Sequence, residues 1–162
     1  KGNYLHDVIE VDNKPDFCIG VAGYPEKHIE SPSLHSDLLR LKQKVDAGAD
    51  YVVTQMFFDN QRYIEFVTKA REMGITVPII PGIKPLAIEK HLQLLPQVFK
   101  IDLPQALIKE VNKCDSSAQI RQVGVEWAIQ QSKELLDFGV PVLHYYSMGK
   151  SDNIKAIASE LF

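Results

Sequence analysis

Apolar and polar positions along this chain follow two different periods. Four short, nearly continuous apolar runs, residues 17–24, 51–58, 77–83 and 140–148, read as strands covered on both faces. Pro25 biases Tyr24 away from helix, which ends the first run there. Between the runs the apolar positions move to helical spacing. Leu34, Leu38, Leu41 and Val45 form one stripe of an amphipathic helix that Ser31-Pro32 or Ser33 caps and Gly48 ends. Tyr63, Phe66, Val67 and Ala70 mark a second helix over 60–73, closed by Gly74. A third, over 87–95, is predicted to break at Pro96. Asp102 is placed to cap a piece beginning at Pro104. Ser116 or Ser117 caps a longer helix to Phe138, ended by Gly139, and Ser151 or Asp152 caps a short last one.

Four successive strand–helix units give two options, a small open doubly wound sheet or half of an eight-stranded barrel. No glycine-rich dinucleotide fingerprint follows any strand, so the first option lacks its usual cofactor loop. The chain opens at Lys1, and Tyr4-Leu5 and Val8-Ile9 suit the end of a helix begun upstream. The expectation is therefore an α/β chain of the (β/α)8 TIM-barrel class that supplies its last four βα units. Residues 1–16 would be the tail of an upstream element, and 17–162 the C-terminal half of a catalytic barrel domain. Half a barrel also leaves two strand edges that something must cover.

Composition narrows the function more by exclusion. The chain is 45% hydrophobic and 24% charged with a formal net charge of −3, an ordinary globular profile without the basic stripe of a nucleic-acid binder. No apolar run approaches the roughly 20 residues of a membrane span, and no signal-peptide pattern opens the chain. Cys18 and Cys114 lack metal-ligand spacing, which favours reduced thiols in a cytoplasmic protein and no metal site.

Ligands of such folds bind where strands end. Tyr24 stands at one such end, suited to stacking on a planar ring or to covering the core, and His28 follows in a polar loop. Asp37, Arg40 and Lys44 line the edge of the first helix's apolar stripe. They suit an i, i+3 ion pair on a solvated face, or a row that holds ribose hydroxyls and phosphates. Gln55 interrupts an apolar strand; it is either a buried amide bonded to backbone or a planar donor–acceptor set for a heterocycle edge. In the last run Val142, His144, Tyr146 and Met148 share one face, and Lys150 follows as a cation near Tyr146. Lys84, just past the third strand, invites a Schiff-base reading, but nothing in the sequence shows it desolvated.

Six blocks taken together resemble methylenetetrahydrofolate reductase, in register from about Phe17 to the C-terminus. They are Gly23-Tyr-Pro-Glu-Lys-His28, Asp37-Leu-Leu-Arg-Leu-Lys-Gln-Lys44, Asp46-Ala-Gly-Ala-Asp50, Thr54-Gln-Met-Phe-Phe58, Ile80-Pro-Gly-Ile83 and Leu143-His-Tyr-Tyr146. The resemblance implies a barrel that holds FAD at its strand ends. The implied reaction is the reduction of 5,10-methylenetetrahydrofolate to 5-methyltetrahydrofolate with hydride from NADH or NADPH, by an oxidoreductase of CH–NH donors in one-carbon metabolism and methionine supply. By position it puts Tyr24, His28, Ile29, Glu30, Ser31, Asp37 and Lys44 at FAD, and Gln55, Tyr146 and Lys150 at the folate. Lys150 stands where the family often has arginine; it keeps the charge and loses the planar fork. Arg40 and Leu95 fall at variable positions and receive no role.

The general-acid glutamate that the resemblance implies is expected upstream of Lys1, so no catalytic residue is expected in this chain, and alone it is expected to be inactive. Its expected partners are NAD(P)H, methylenetetrahydrofolate, the N-terminal half of the barrel and further copies of itself. Two other readings stand beside this one, a non-catalytic ligand-binding or assembly half-barrel and an unrelated barrel lyase using Lys84.

Overall fold

Backbone groups of the apolar runs find their partners in one parallel sheet. A computed structural model describes residues 16–149 and 151–162. The upstream helix end expected around Tyr4–Ile9, and Lys150, lie outside the described residues. Strands β1 (Gly20–Gly23), β2 (Tyr51–Met56), β3 (Ile79–Ile83) and β4 (His144–Tyr145) pair in the order 1-2-3-4, every neighbour parallel. Sequential order without a reversal is that of a barrel sector and removes the doubly wound option, which needs a switch point.

Helices α1 (Leu34–Asp46), α2 (Asn60–Glu72), α3 (His91–Phe99), α4 (Gln105–Val111), α5 (Ser117–Asp137) and α6 (Asp152–Leu161) complete the chain. Leu38 and Leu41 of α1, Tyr63, Phe66 and Ala70 of α2, and Val125, Ala128 and Leu135 of α5 pack with Val52, Ile79 and Ile83 of the sheet in one buried cluster. The opposite sheet face is open: Tyr51, Val53, Gln55 and Ile80 are half-buried, and Ala22 and His144 are exposed. Among the described residues no helix is long and apolar enough to cross a membrane.

All four strands are shorter than the apolar runs predict, β1, β2 and β4 for reasons visible locally. Asp50 closes β1 by accepting the Ile19 N–H at 2.6 Å, so Phe17, Cys18 and Ile19 stay exposed outside the strand. Beyond β2, side chains of α5 take the carbonyls: Gln131 Nε2 donates to Phe57 O at 2.9 Å and Trp127 Nε1 to Phe58 O at 3.1 Å. Only Gly82 and Ile83 face β4, so its ladder spans two residues.

Three helix expectations are corrected, the first being the cap of α6, where Ser151 sits at the N-cap without a side-chain hydrogen bond. Helix α3 begins at His91 and passes through Pro96. The break costs about 3 kcal/mol. Leu95 (buried) and Phe99, on either side of Pro96, join a second cluster with Leu86, Ile101 and Leu107, and burying such side chains returns about 1.5–3 kcal/mol each. Asp102 does not cap α4, whose N-terminus carries no side-chain cap; Asp102 pairs with Arg62 at 3.4 Å. Ser33 caps α1, donated to by Ser36 N at 3.1 Å, and Ser116 forms a capping box with Gln119 on α5.

Candidate functional site

Pro81 shapes the site before any ligand is considered. It sits in β3 with strands on both sides, where its missing N–H leaves the ladder incomplete. The register answers with a bulge: Val53 faces Ile80 and Met56 faces Gly82, so Thr54 and Gln55 oppose Pro81 alone. Both β2 side chains then serve the bulge. Thr54 Oγ1 accepts the Gly82 N–H at 2.9 Å, and Gln55 Oε1 accepts the Met56 N–H at 3.0 Å. The backbone-bonded reading of Gln55 thus holds for its carbonyl, while its Nε2 has no partner among the described residues and lies on the open sheet face.

Tyr146 crosses this bulge from β4. Its hydroxyl donates to Thr54 O at 2.8 Å, and its ring covers Gly82, where a Cβ would come within 2.6 Å of Tyr146 Cε2 and overlap Thr54 O. Its phenol is pushed up by burial and then by the nearby Tyr24 phenol. His144 packs edge-on against Tyr146 at 4.7 Å, and Tyr145 points the other way to bond Ser132 Oγ at 2.7 Å, as strand alternation requires.

At the β1 end the loop folds back onto α1. Asp37 Oδ2 accepts the His28 N–H at 2.9 Å, and the His28 ring meets Tyr24 edge-on at 4.6 Å. Tyr24, Asp37 and Lys44 line one small hollow with Ala22 and Gly23. The ion-pair reading of the Asp37–Arg40–Lys44 row is corrected: the pair on α1 is Lys42–Asp46, and Arg40 is exposed. Ser31 is buried, with Oγ donating to Ser33 O at 3.2 Å, while Ile29 and Glu30 are exposed. The predicted cofactor residues therefore gather at one strand end. Gln55 and Tyr146 gather on the sheet beside it.

Three further residues belong to this region to which the family resemblance gave no role. Lys84 is buried at 8% exposure, and burial lowers its pKa, a desolvation that nothing in the sequence showed. With Met56, His91, Leu95 and Tyr146 it lines a cavity of about 470 Å³. His91 is also held below its usual range, by burial and then by the Lys84 charge. Glu26, in the loop between Tyr24 and His28, reaches across to accept the Asp102 N–H at 2.6 Å, and its other oxygen is buried without a partner among the described residues. The signals available in the sequence were a proline inside a strand and a lysine following directly on an apolar run.

Glu26 gives a pH prediction. Burial raises its carboxyl from 4.5 to about 7; Asp102 and Asp59 add to this, and the Asp102 N–H and Arg62 oppose it. The folded state thus binds this proton more tightly than the unfolded chain, and the stability it contributes is full below pH 4.5 and lost as pH rises through 7. Discounted for partial exposure, the loss is about 1–2 kcal/mol. Glu26→Gln should flatten the fall in melting temperature between pH 5 and 8; an unchanged pH profile would remove Glu26 as its source.

The family described as methylenetetrahydrofolate reductase matches residues 2–162. A probable methylenetetrahydrofolate reductase (NADPH) of Caenorhabditis elegans is 38% identical over 148 residues, covering 90% of this chain and 22% of the relative. The 5,10-methylenetetrahydrofolate reductase of Escherichia coli is 37% identical over 147 residues, covering 90% of this chain and 50% of the relative. This chain thus spans half or less of the length of these relatives. A solved Clostridium thermocellum protein, described as binding two copies of 5-methyl-5,6,7,8-tetrahydrofolic acid, shares the fold with a TM-score of 0.63 at 23% identity, over 92% of this chain and 54% of that one.

Proposed function

This chain belongs to the methylenetetrahydrofolate reductase family, and from that premise we propose that it forms the cofactor and substrate face of a reductase converting 5,10-methylenetetrahydrofolate to 5-methyltetrahydrofolate with NAD(P)H and FAD. The observation that carries the reading is the row of polar and aromatic groups along the strand ends. Tyr24, His28, Asp37 and Lys44 cluster at the end of β1, Gln55 carries an amide donor without a partner among the described residues on β2, and Tyr146 reaches from the end of β4 to the Thr54 carbonyl.

The residues at the β1 end suit a flavin nucleotide. One Asp37 oxygen is used by the loop and the other has no partner among the described residues, which fits a sugar hydroxyl. Lys44 has no ion pair among the described residues and fits a phosphate. Tyr24 offers a ring, and Ile29, Glu30 and Ser31 continue the same loop. When bound, the flavin supplies the two-electron relay between nicotinamide and folate. Gln55 Nε2 orients the pterin edge as donor, Tyr146 walls it, and Lys150 supplies a cation. The proton donor for the opening methylene bridge lies, in this proposal, outside these 162 residues, so the chain alone is inactive and works with the rest of the barrel in a cytoplasmic homo-oligomer.

Gln55→Glu tests the reading in the full-length protein. Glutamate retains an oxygen for the Met56 N–H and puts a carboxylate oxygen where the amide donor was, so the bulge should survive while the donor is lost and a negative charge gained. The expected result is a yellow, flavin-containing protein with an unchanged melting temperature and folate turnover lowered at least about tenfold, the scale of one donor lost in a desolvated site. Unchanged folate kinetics would refute the role of Gln55, and a full-length wild-type protein without flavin absorbance would refute the flavoenzyme reading.

A further inference from the structure

Among the described residues Lys84 is the only buried lysine or arginine. Its ammonium reaches only the Pro85 carbonyl, at 3.4 Å, and takes part in none of the ion pairs formed among these residues. Burying a cation without a counter-charge is unfavourable, so a negative group is expected within its reach when the site is filled. The surroundings indicate what kind of group. His91 Nδ1 accepts the Ala87 N–H at 3.2 Å, which leaves Nε2 to carry the proton of the neutral ring and to act as a second donor. Arg121 lines the same cavity, whose carboxylate is Asp152, and the remaining wall is mostly apolar, with Leu95, Val98 and Phe99. Such a cavity fits a flat apolar body that ends in an acid. Tyr146 forms part of the wall, so the cavity adjoins the opening assigned above to the pterin.

We propose that Lys84, assisted by His91 Nε2–H, recognises a carboxylate on the substrate's tail and makes this cavity selective for the acidic over the neutral form of that tail. The proposal rests on the folate reading of the site. A reduced folate fits the description: a pterin joined through an aromatic amide to an amino acid with free carboxylates.

The test uses the full-length protein and two probes, 5-methyl-5,6,7,8-tetrahydrofolate and the same compound with both carboxylates converted to amides. Wild type is expected to prefer the acid. Lys84→Met should weaken acid binding about tenfold, the scale of one charged hydrogen bond, and amide binding less than about twofold. Lys84→Arg should restore much of the preference, and Lys84→Gln serves if the methionine variant does not fold. Equal losses for both probes would overturn the proposal. Unchanged binding with a lowered melting temperature would also overturn it, by showing that Lys84 pairs with a carboxylate of the protein. Wild type that binds neither probe would instead bring down the folate reading itself, and this proposal with it.

Discussion

Gly124→Ala is expected to destabilise the chain by about 2–4 kcal/mol, although alanine is the better helix former. Gly124 lies in the interior of α5, where alanine would contribute about 1 kcal/mol through helix propensity. That gain is overwhelmed by contact. A Cβ there would overlap the Leu86 carbonyl oxygen and stand 2.6 Å from its carbonyl carbon. The obstacle is backbone, which has no rotamer to escape into, so α5 or the segment after β3 must move. That segment carries Lys84, and its displacement would open the cavity as well. Chemical denaturation of wild type and variant checks the size of the effect. Equal midpoints would mean that α5 does not press on Leu86.

On the proposed flavin reading, Asp37→Ala should lower flavin affinity in the full-length protein roughly 10–100-fold. It removes two things at once, the acceptor that ties the His28 N–H to α1 and the free oxygen facing the Tyr24–Lys44 hollow. A hydrogen bond to a charged group accounts for about 1.5–3 kcal/mol, which converts to that range. Asp37→Asn separates the two contributions, because its amide oxygen can still hold the loop while the charge is gone. Flavin retained through dialysis, followed by absorbance, is the readout. Wild-type retention in Asp37→Ala would remove Asp37 from the cofactor site.

The parts of the fold legible in the sequence were those fixed by local periodicity. The stripe of Leu34, Leu38, Leu41 and Val45 and the alternation of His144, Tyr145 and Tyr146 state which face is covered, and the structure obeys both. Strand lengths were not legible, because they depend on which partner lies alongside: Asp50 stops β1, and α5 claims the carbonyls of Phe57 and Phe58. Pro96 misled for a related reason, since the packing that outweighs its cost involves residues distant in the chain, such as Ile120. Of the site, Gln55 stood out as a polar residue in an apolar run. Its link to the bulge did not, because the cause, Pro81, lies on another strand. Lys84 stood out for its place after an apolar run, but its burial depends on neighbours distant in the chain, such as Tyr146 and Arg121.

The tie between the Tyr146 hydroxyl and the Thr54 carbonyl bears on the chemistry available at this opening. A phenol whose proton is already committed to the main chain is a poor acid for any reacting nitrogen. Burial pushes its ionisation further out of reach. Tyr146 therefore meets a ligand as a flat, fixed surface, and Tyr146→Phe should alter the stiffness of the rim more than the protonation step.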